Sequence, residues 1–223
     1  MSAEIAAIPA AARLRITETF LSLQGEASAV GWPTFFIRLT GCPLRCHYCD
    51  TAYAFHGGEW RTIARLLDEA RQAGAKHVCV TGGEPLAQRQ CLTLLAILCE
   101  AGFEVSLETS GAIDASTVDA RVVRVIDVKT PGSGESQRNL DLALQKLRKH
   151  DQLKFVICDR ADYEWSRERV KSERLDERCQ VLFSPSYHQV PAAQLANWIL
   201  ADRLPVRFQV QLHKILWGDV PGR

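Results

Sequence analysis

Residues 34–51 read TFFIRLTGCPLRCHYCDT. The opening TFFIRL is β-branched and aromatic, the composition of a strand. Gly41 follows, then a loop with three cysteines, Cys42, Cys46 and Cys49, spaced C-x3-C-x2-C. The next cysteine is Cys79. A closed zinc site needs four ligands, and His47, adjacent to Cys46, cannot easily bend back to the same ion. A 4Fe–4S cluster held by three thiolates has a different logic, because one iron keeps an open position. If S-adenosylmethionine chelates that iron, an electron from the cluster cleaves the sulfonium to a 5′-deoxyadenosyl radical. On that reading a fourth thiolate would block the site.

Outward from this stretch, apolar runs alternate with amphipathic ones. ITETFLSLQ (16–24), HVCVTGG (77–83), FEVSLETSG (103–111), VVRVIDVKT (122–130), QLKFVIC (152–158), QVLFSP (180–185) and VRFQVQLHK (206–214) read as further strands. In residues 62–73, Ile63, Leu66, Leu67 and Ala70 recur at helical spacing, with Gly74 as a stop. Helices are also expected over 86–101, 139–150, about 161–177 and 192–203. Strand–helix alternation predicts an α/β fold with a parallel sheet, doubly wound or barrel-like. The segment from Thr109 to Val122 is too short for a long helix. Either architecture collects functional groups at the C-terminal ends of its strands. Four Gly-rich polar segments fall there: 41–50, 81–85, 109–111 and 129–134.

The chain of 223 residues suits one domain. The Ala-rich residues 1–13 are expected to be a frayed N-terminus and residues 14–223 a single catalytic domain. Charge is balanced, with 27 basic and 26 acidic residues, so nothing in the bulk electrostatics favours nucleic acid or a membrane surface. No apolar run is long enough to span a bilayer, and the N-terminus does not read as a signal peptide. A cytoplasmic location is expected, with the eight cysteines reduced or metal-bound. Cys79, Cys91, Cys99, Cys158 and Cys179 read as packing.

The cysteine loop with Tyr48 before its third cysteine, followed after the next strand by Gly82-Gly83-Glu84-Pro85, resembles the radical S-adenosylmethionine superfamily. SLQGEASAVGWPTFFIRLTGCPLRCHYCDT (22–51), LETSG (107–111), DVKTPGSG (127–134), LKFVI (153–157) and QLHKILWG (211–218) are similar to segments of the 7-carboxy-7-deazaguanine synthase family. The match departs at Ala27, where the family usually has glycine, and at Pro43, where it usually has asparagine.

The resemblance implies a partial, abridged radical-SAM (TIM-like) parallel β/α barrel. It implies conversion of 6-carboxy-5,6,7,8-tetrahydropterin to 7-carboxy-7-deazaguanine with loss of ammonia, S-adenosylmethionine being regenerated. Cys42, Cys46 and Cys49 would hold the cluster, and Thr51 a Mg²⁺ that keeps few protein ligands. Asp50 is the rival Mg²⁺ ligand, and a loop cap is the other reading of Thr51. S-adenosylmethionine contacts fall on Tyr48, Cys49, Asp50, Gly83, Glu84, Gly111, Ser133 and the segment Gln152, Leu153 and Lys154; Glu84 would accept from its ammonium.

Pterin contacts fall on Leu23, Gln24, Gly25, Arg38 and Thr109, with His213 and the terminal Arg223 able to reach the site. Arg38 can fork onto a carboxylate or form a plain strand-end ion pair. Glu26 is a candidate base, or an ordinary surface carboxylate. Implied partners are an electron donor such as a flavodoxin and a second copy in a homodimer. The rivals are another small radical-SAM enzyme, such as a glycyl-radical activase, and a non-catalytic iron–sulfur or zinc module.

Overall fold

The strand that carries the cysteine loop, β2 (Pro33–Leu39), lies inside a nine-stranded sheet. The protein is described by a computed structural model over residues 12–222. The other strands are β1 (Arg13–Leu23), β3 (Glu59–Thr62), β4 (His77–Gly82), β5 (Glu104–Thr109), β6 (Val123–Val128), β7 (Gln152–Ile157), β8 (Gln180–Pro185) and β9 (Arg207–Phe208). Their order is β3-β1-β2-β4-β5-β6-β7-β8-β9. β1 runs antiparallel to β2 and β3, and every pairing from β2 through β9 is parallel.

Residues 1–11 lie outside the described ones. Ala12 and Arg13, expected to fray, belong to the fold: Ala12 is buried, its carbonyl accepts from Ile63 N at 3.1 Å, and Arg13 pairs with Thr62.

Helix α1 (Ile63–Ala73) forms where the spacing predicts it. Thr62 caps it through a bond from Arg65 N, Gly74 ends it at φ 67°, and Ile63, Leu66, Leu67 and Ala70 are its buried face. Helix α2 (Cys91–Glu100) starts later than the expected residue 86. A 3₁₀ turn over Pro85–Ala87 precedes it, and the Gln88 amide bonds the Arg15 backbone and Thr40 O, holding that stretch against β1.

Helix α3 (Asp141–Gln145) is much shorter than expected, because Lys146 leaves the helical region and gives its carbonyl to Arg124. Helix α4 (Arg160–Glu173) stops at Arg174 in a left-handed conformation. Helix α5 is Ala192–Asp202. The expected last strand is cut short. Only Arg207–Phe208 pairs with β8, and the chain then turns into α6 (Leu212–Trp217).

Two apolar clusters back the sheet. One joins β1, β2, β4 and β5 to α1 and α2; the other joins β6, β7 and β8 to α4 and α5. Between β5 and β6 there is no helix. Ala115, Val118 and Val122 cover that stretch. Beneath them the buried Arg124 bonds Ala115 O at 3.0 Å, Lys146 O at 2.7 Å and the Asp151 carboxylate. One guanidinium thus ties together backbone that a crossover helix would otherwise hold.

Candidate active site

Loops from the C-terminal ends of β2, β4, β5, β6, β7 and β8 enclose a cavity of about 580 Å³. Cys42, Cys46 and Cys49 line it, half-buried and free of disulfides. Their loop is shaped by backbone bonds: Gly41 N to Ala54 O at 2.8 Å, Cys49 N to Cys46 O at 3.2 Å, and His47 N to Ser133 O at 3.0 Å. Leu44 is buried beneath it and donates its N–H to Cys42 Sγ at 3.4 Å. Such donors stabilise sulfur ligands of a cluster.

Burial pushes the Cys46 thiol up to about 11, so a bound metal must supply the deprotonation. Among the described residues no three His, Cys, Asp or Glu side chains converge to hold one metal ion. Three half-buried thiolates line the cavity with no fourth cysteine among its lining residues, a donor set that fits a 4Fe–4S cluster with one open iron.

β4 brings Gly82-Gly83-Glu84-Pro85 against this loop. Gly83 N donates to Leu39 O at 3.2 Å and Glu84 N to Gly41 O at 2.8 Å. A β-carbon on Gly83 would overlap the Gly41 carbonyl and the Cys42 side chain, so only glycine permits the approach. Glu84 is fully buried and does not line the cavity. Its carboxylate accepts from Leu86 N at 2.9 Å, Thr109 Oγ1 at 2.9 Å on both oxygens, Ser110 N at 2.7 Å and Ser110 Oγ at 2.5 Å. It ties the end of β4 to the end of β5. That placement differs from the expected contact with the ammonium of S-adenosylmethionine; of the motif, Gly82 and Gly83 reach the cavity.

The facing wall is the loop after β1. Leu23, Gln24, Gly25 and Glu26 line the cavity, and Ala27 follows at φ 63°. That left-handed conformation costs an L-residue roughly 1–2 kcal/mol. The C-terminal segment is bonded along this loop: Leu212 N to Gly25 O at 3.0 Å, Gln211 Nε2 to Glu26 Oε1 at 2.8 Å, and Gln209 to Ala27. His213 packs so closely on Gly25 that a β-carbon there would overlap its ring.

A buried ionic chain crosses the floor. Glu26 pairs with Lys154 at 2.6 Å, Lys154 approaches Asp127 at 3.8 Å, and Asp127 pairs with Lys129 at 2.9 Å. Burial pulls the Glu26 carboxyl up, but Lys154 outweighs it and holds the group below its ordinary value. Burial, then repulsion from Glu26, push Glu108 up. Glu26 is therefore no surface carboxylate. Arg38 lines the cavity with its Nε on Glu18 Oε1 at 2.7 Å, and Tyr53 OH donates to the same oxygen at 2.7 Å. The strand-end ion pair is present, and it orients the guanidinium beside the cavity.

Thr51 and Asp50 also line the cavity. Thr51 Oγ1 donates to Asp50 Oδ1 at 2.8 Å and makes no helix-cap bond. Asp50 is paired with Lys214 at 2.8 Å; burial is outweighed by that charge, which holds Asp50 at about 2. Tyr48, Thr109, Lys154 and His213 join the lining. Gly111, Ser133, Gln152 and Leu153 do not. Ser133 supports His47 from below, Gln152 holds Ser28 N at 3.0 Å, and Leu153 is core. His213 reaches the site from a helix, not a strand. Arg223 lies outside the described residues.

The roles of Glu18, Tyr53, Glu108, Asp127, Lys129 and Gln209 are not singled out by the sequence reading. Their signal was present for four of them, as charges inside otherwise apolar strands or at their ends. The Asp127 Oδ1 and the Tyr48 hydroxyl are buried on the cavity wall without a hydrogen-bond partner among the described residues. Buried polar atoms are normally satisfied, so these two are unpaired polar points on residues of the cavity lining.

A family model described as the Radical SAM superfamily matches residues 36–128. The chain is 41% identical over 211 residues to the 7-carboxy-7-deazaguanine synthase of Chlorobaculum tepidum, covering 93% of this chain and 96% of the relative. It is 40% identical over 219 residues to that of Koribacter versatilis, covering 92% and 97%. The crystal structure of QueE from Escherichia coli superposes with a TM-score of 0.75 at 25% identity, covering 90% of this chain and 95% of that one. Streptococcus suis SuiB bound to S-adenosylmethionine shares the fold, with a TM-score of 0.55 at 17% identity over 77% of this chain and 45% of that one. The fold is the partial radical-SAM barrel. The chain belongs to the 7-carboxy-7-deazaguanine synthase family of the radical S-adenosylmethionine superfamily.

Proposed function

We propose that the chain performs its family's reaction in this cavity, with the residues that converge there. The reaction is a carbon–nitrogen lyase step of queuosine and 7-deazapurine biosynthesis: 6-carboxy-5,6,7,8-tetrahydropterin becomes 7-carboxy-7-deazaguanine and ammonia. The observation that carries the residue assignment is the pairing of walls: three cysteines on one side, and on the other a buried set of polar and charged groups sized for a flat polar heterocycle.

Cys42, Cys46 and Cys49 hold the cluster, and Tyr48, Asp127 and Gly83 contact S-adenosylmethionine. When bound, the cluster and S-adenosylmethionine would supply the radical chemistry that abstracts hydrogen from the substrate. Arg38, held at Nε by Glu18, offers its terminal nitrogens to the substrate carboxylate. Gln24, Gly25 and Thr109 read the pterin edge. Glu26, kept ionised by Lys154, takes a proton during aromatisation, and the Lys154 ammonium offsets charge beside it. Thr51 ligates a Mg²⁺ through a hydroxyl that no cap occupies. Asp50, committed to Lys214, holds the Thr51 hydroxyl in place. A flavodoxin-type donor would meet the cysteine loop at the exposed Pro43, Arg45 and His47, and the family resemblance implies a homodimer.

The test is anaerobic cluster reconstitution followed by S-adenosylmethionine, reductant and the tetrahydropterin, with and without Mg²⁺. The deazaguanine product is expected, and Thr51→Ala should need more Mg²⁺ for half-maximal turnover. Absence of product from cluster-loaded protein overturns the assignment. An unchanged Mg²⁺ response in Thr51→Ala overturns the metal site.

A further inference from the structure

We infer that Gln209 is a positioning residue for the substrate loop: its side-chain amide clamps Ala27 in the left-handed conformation that aims Gln24, Gly25 and Glu26 into the cavity. This rests on reading that loop as the pterin-binding wall. The clamp has two points. Ala27 N donates to Gln209 Oε1 at 2.6 Å, and Gln209 Nε2 donates to Ala27 O at 3.1 Å. Both residues are buried, at 3% and 5% exposure, so neither backbone group can turn to water instead.

Ala27 sits at φ 63°, a conformation alanine does not favour. Without the clamp the loop would relax toward the right-handed or extended region, and the change in direction at Ala27 would move Glu26 off Lys154. Gln209 is itself fixed, because its N–H donates to Phe183 O at 3.0 Å in continuation of the β8–β9 ladder. The sheet therefore sets the conformation of a loop 182 residues earlier in the chain. Gln209 does not line the cavity, so it acts through Ala27 rather than on substrate.

The experiment uses cluster-loaded enzyme at saturating S-adenosylmethionine and measures KM for the tetrahydropterin and kcat. Gln209→Ala should raise KM about tenfold, the factor equivalent to ~1.4 kcal/mol, with iron content unchanged. Glycine adopts the left-handed conformation unaided. Gln209→Ala/Ala27→Gly should therefore return KM to within about threefold of the parent, a coupling that two independent sites would not show. A plain loss of stability in Gln209→Ala would not be rescued in KM by glycine at residue 27.

An unchanged KM in Gln209→Ala overturns the inference. So does a raised KM that Ala27→Gly leaves raised. If Gln209→Ala does not fold, Gln209→Glu keeps the acceptor for Ala27 N and removes the donor to Ala27 O; its KM should rise, and an unchanged value overturns the clamp. Gln24→Ala separates the two layers. If it leaves KM unaltered, the loop is not the substrate wall and the inference falls with that reading. If Gln24→Ala raises KM while Gln209→Ala is silent, the inference alone falls.

Discussion

Replacing Glu84 with Gln asks what the GGEP motif does in this chain. Each Glu84 oxygen faces one backbone donor, Oε1 facing Leu86 N and Oε2 facing Ser110 N. Whichever way a glutamine amide turns, its NH₂ meets a fixed N–H. The favourable orientation keeps the oxygen toward Ser110, where Ser110 N, Ser110 Oγ and Thr109 Oγ1 donate, and leaves Leu86 N without an acceptor. An orphaned N–H costs about 1–3 kcal/mol, and losing the negative charge weakens the remaining bonds by about 1 kcal/mol more.

The sum is about 3 kcal/mol, which for a chain of this length lowers the melting temperature by roughly 6–12 °C. The assay is anaerobic thermal unfolding of cluster-loaded protein without S-adenosylmethionine. A residue whose work is to tie β4 to β5 destabilises the protein under those conditions. A residue whose work is to bind the ammonium of S-adenosylmethionine leaves melting unchanged and weakens only ligand affinity. That second outcome would refute the reasoning.

Three further outcomes follow from other parts of the molecule. Asp151→Asn strands Arg124, which is 1% exposed against a fully buried partner, and should cost about 3–5 kcal/mol in urea unfolding; a cost under about 1 kcal/mol would refute the tie between β5 and β6. Gly83→Ala drives a methyl into Gly41 and Cys42, so reconstituted iron and sulfide per chain should fall severalfold while far-UV dichroism is retained; full loading would refute the close approach. Burial lowers His213 below its ordinary value of 6.5. The unfolded histidine then takes up a proton that the folded one resists, so its contribution is complete above pH ~6.5 and is lost as pH falls below it. The urea midpoint should drop more between pH ~7.5 and ~5.5 in the parent than in His213→Gln, and equal drops would refute that burial.

The chemistry of the cysteine loop was legible because it is local. Eight consecutive residues, Cys42 to Cys49, carry all three thiolates, one fewer than a closed zinc site needs. Helix α1 was legible for the same reason, since its cap, apolar face and stop are contiguous. Ala27 also signalled something real: it stands at a left-handed position. The last strand was not legible. Alternation in VRFQVQLHK suits a ladder, but the pairing with β8 ends at the Gln209 N–H, and the Gln209 and Gln211 side chains bond Ala27 and Glu26 instead. Local pattern records that a segment is extended, not what it pairs with.

The sequence by itself determined the three-cysteine spacing, the strand-end placement of the motifs and the family they mark. Tertiary structure alone decided which polar groups meet. Glu84 finds its partners 25 and 26 residues away, Lys154 meets Glu26 across 128, and Gln209 meets Ala27 across 182. Parallel strands bring their C-terminal ends side by side whatever the separation along the chain. A carboxylate that reads as surface, base or ligand in one dimension acquires its role only when register places a lysine or an N–H against it.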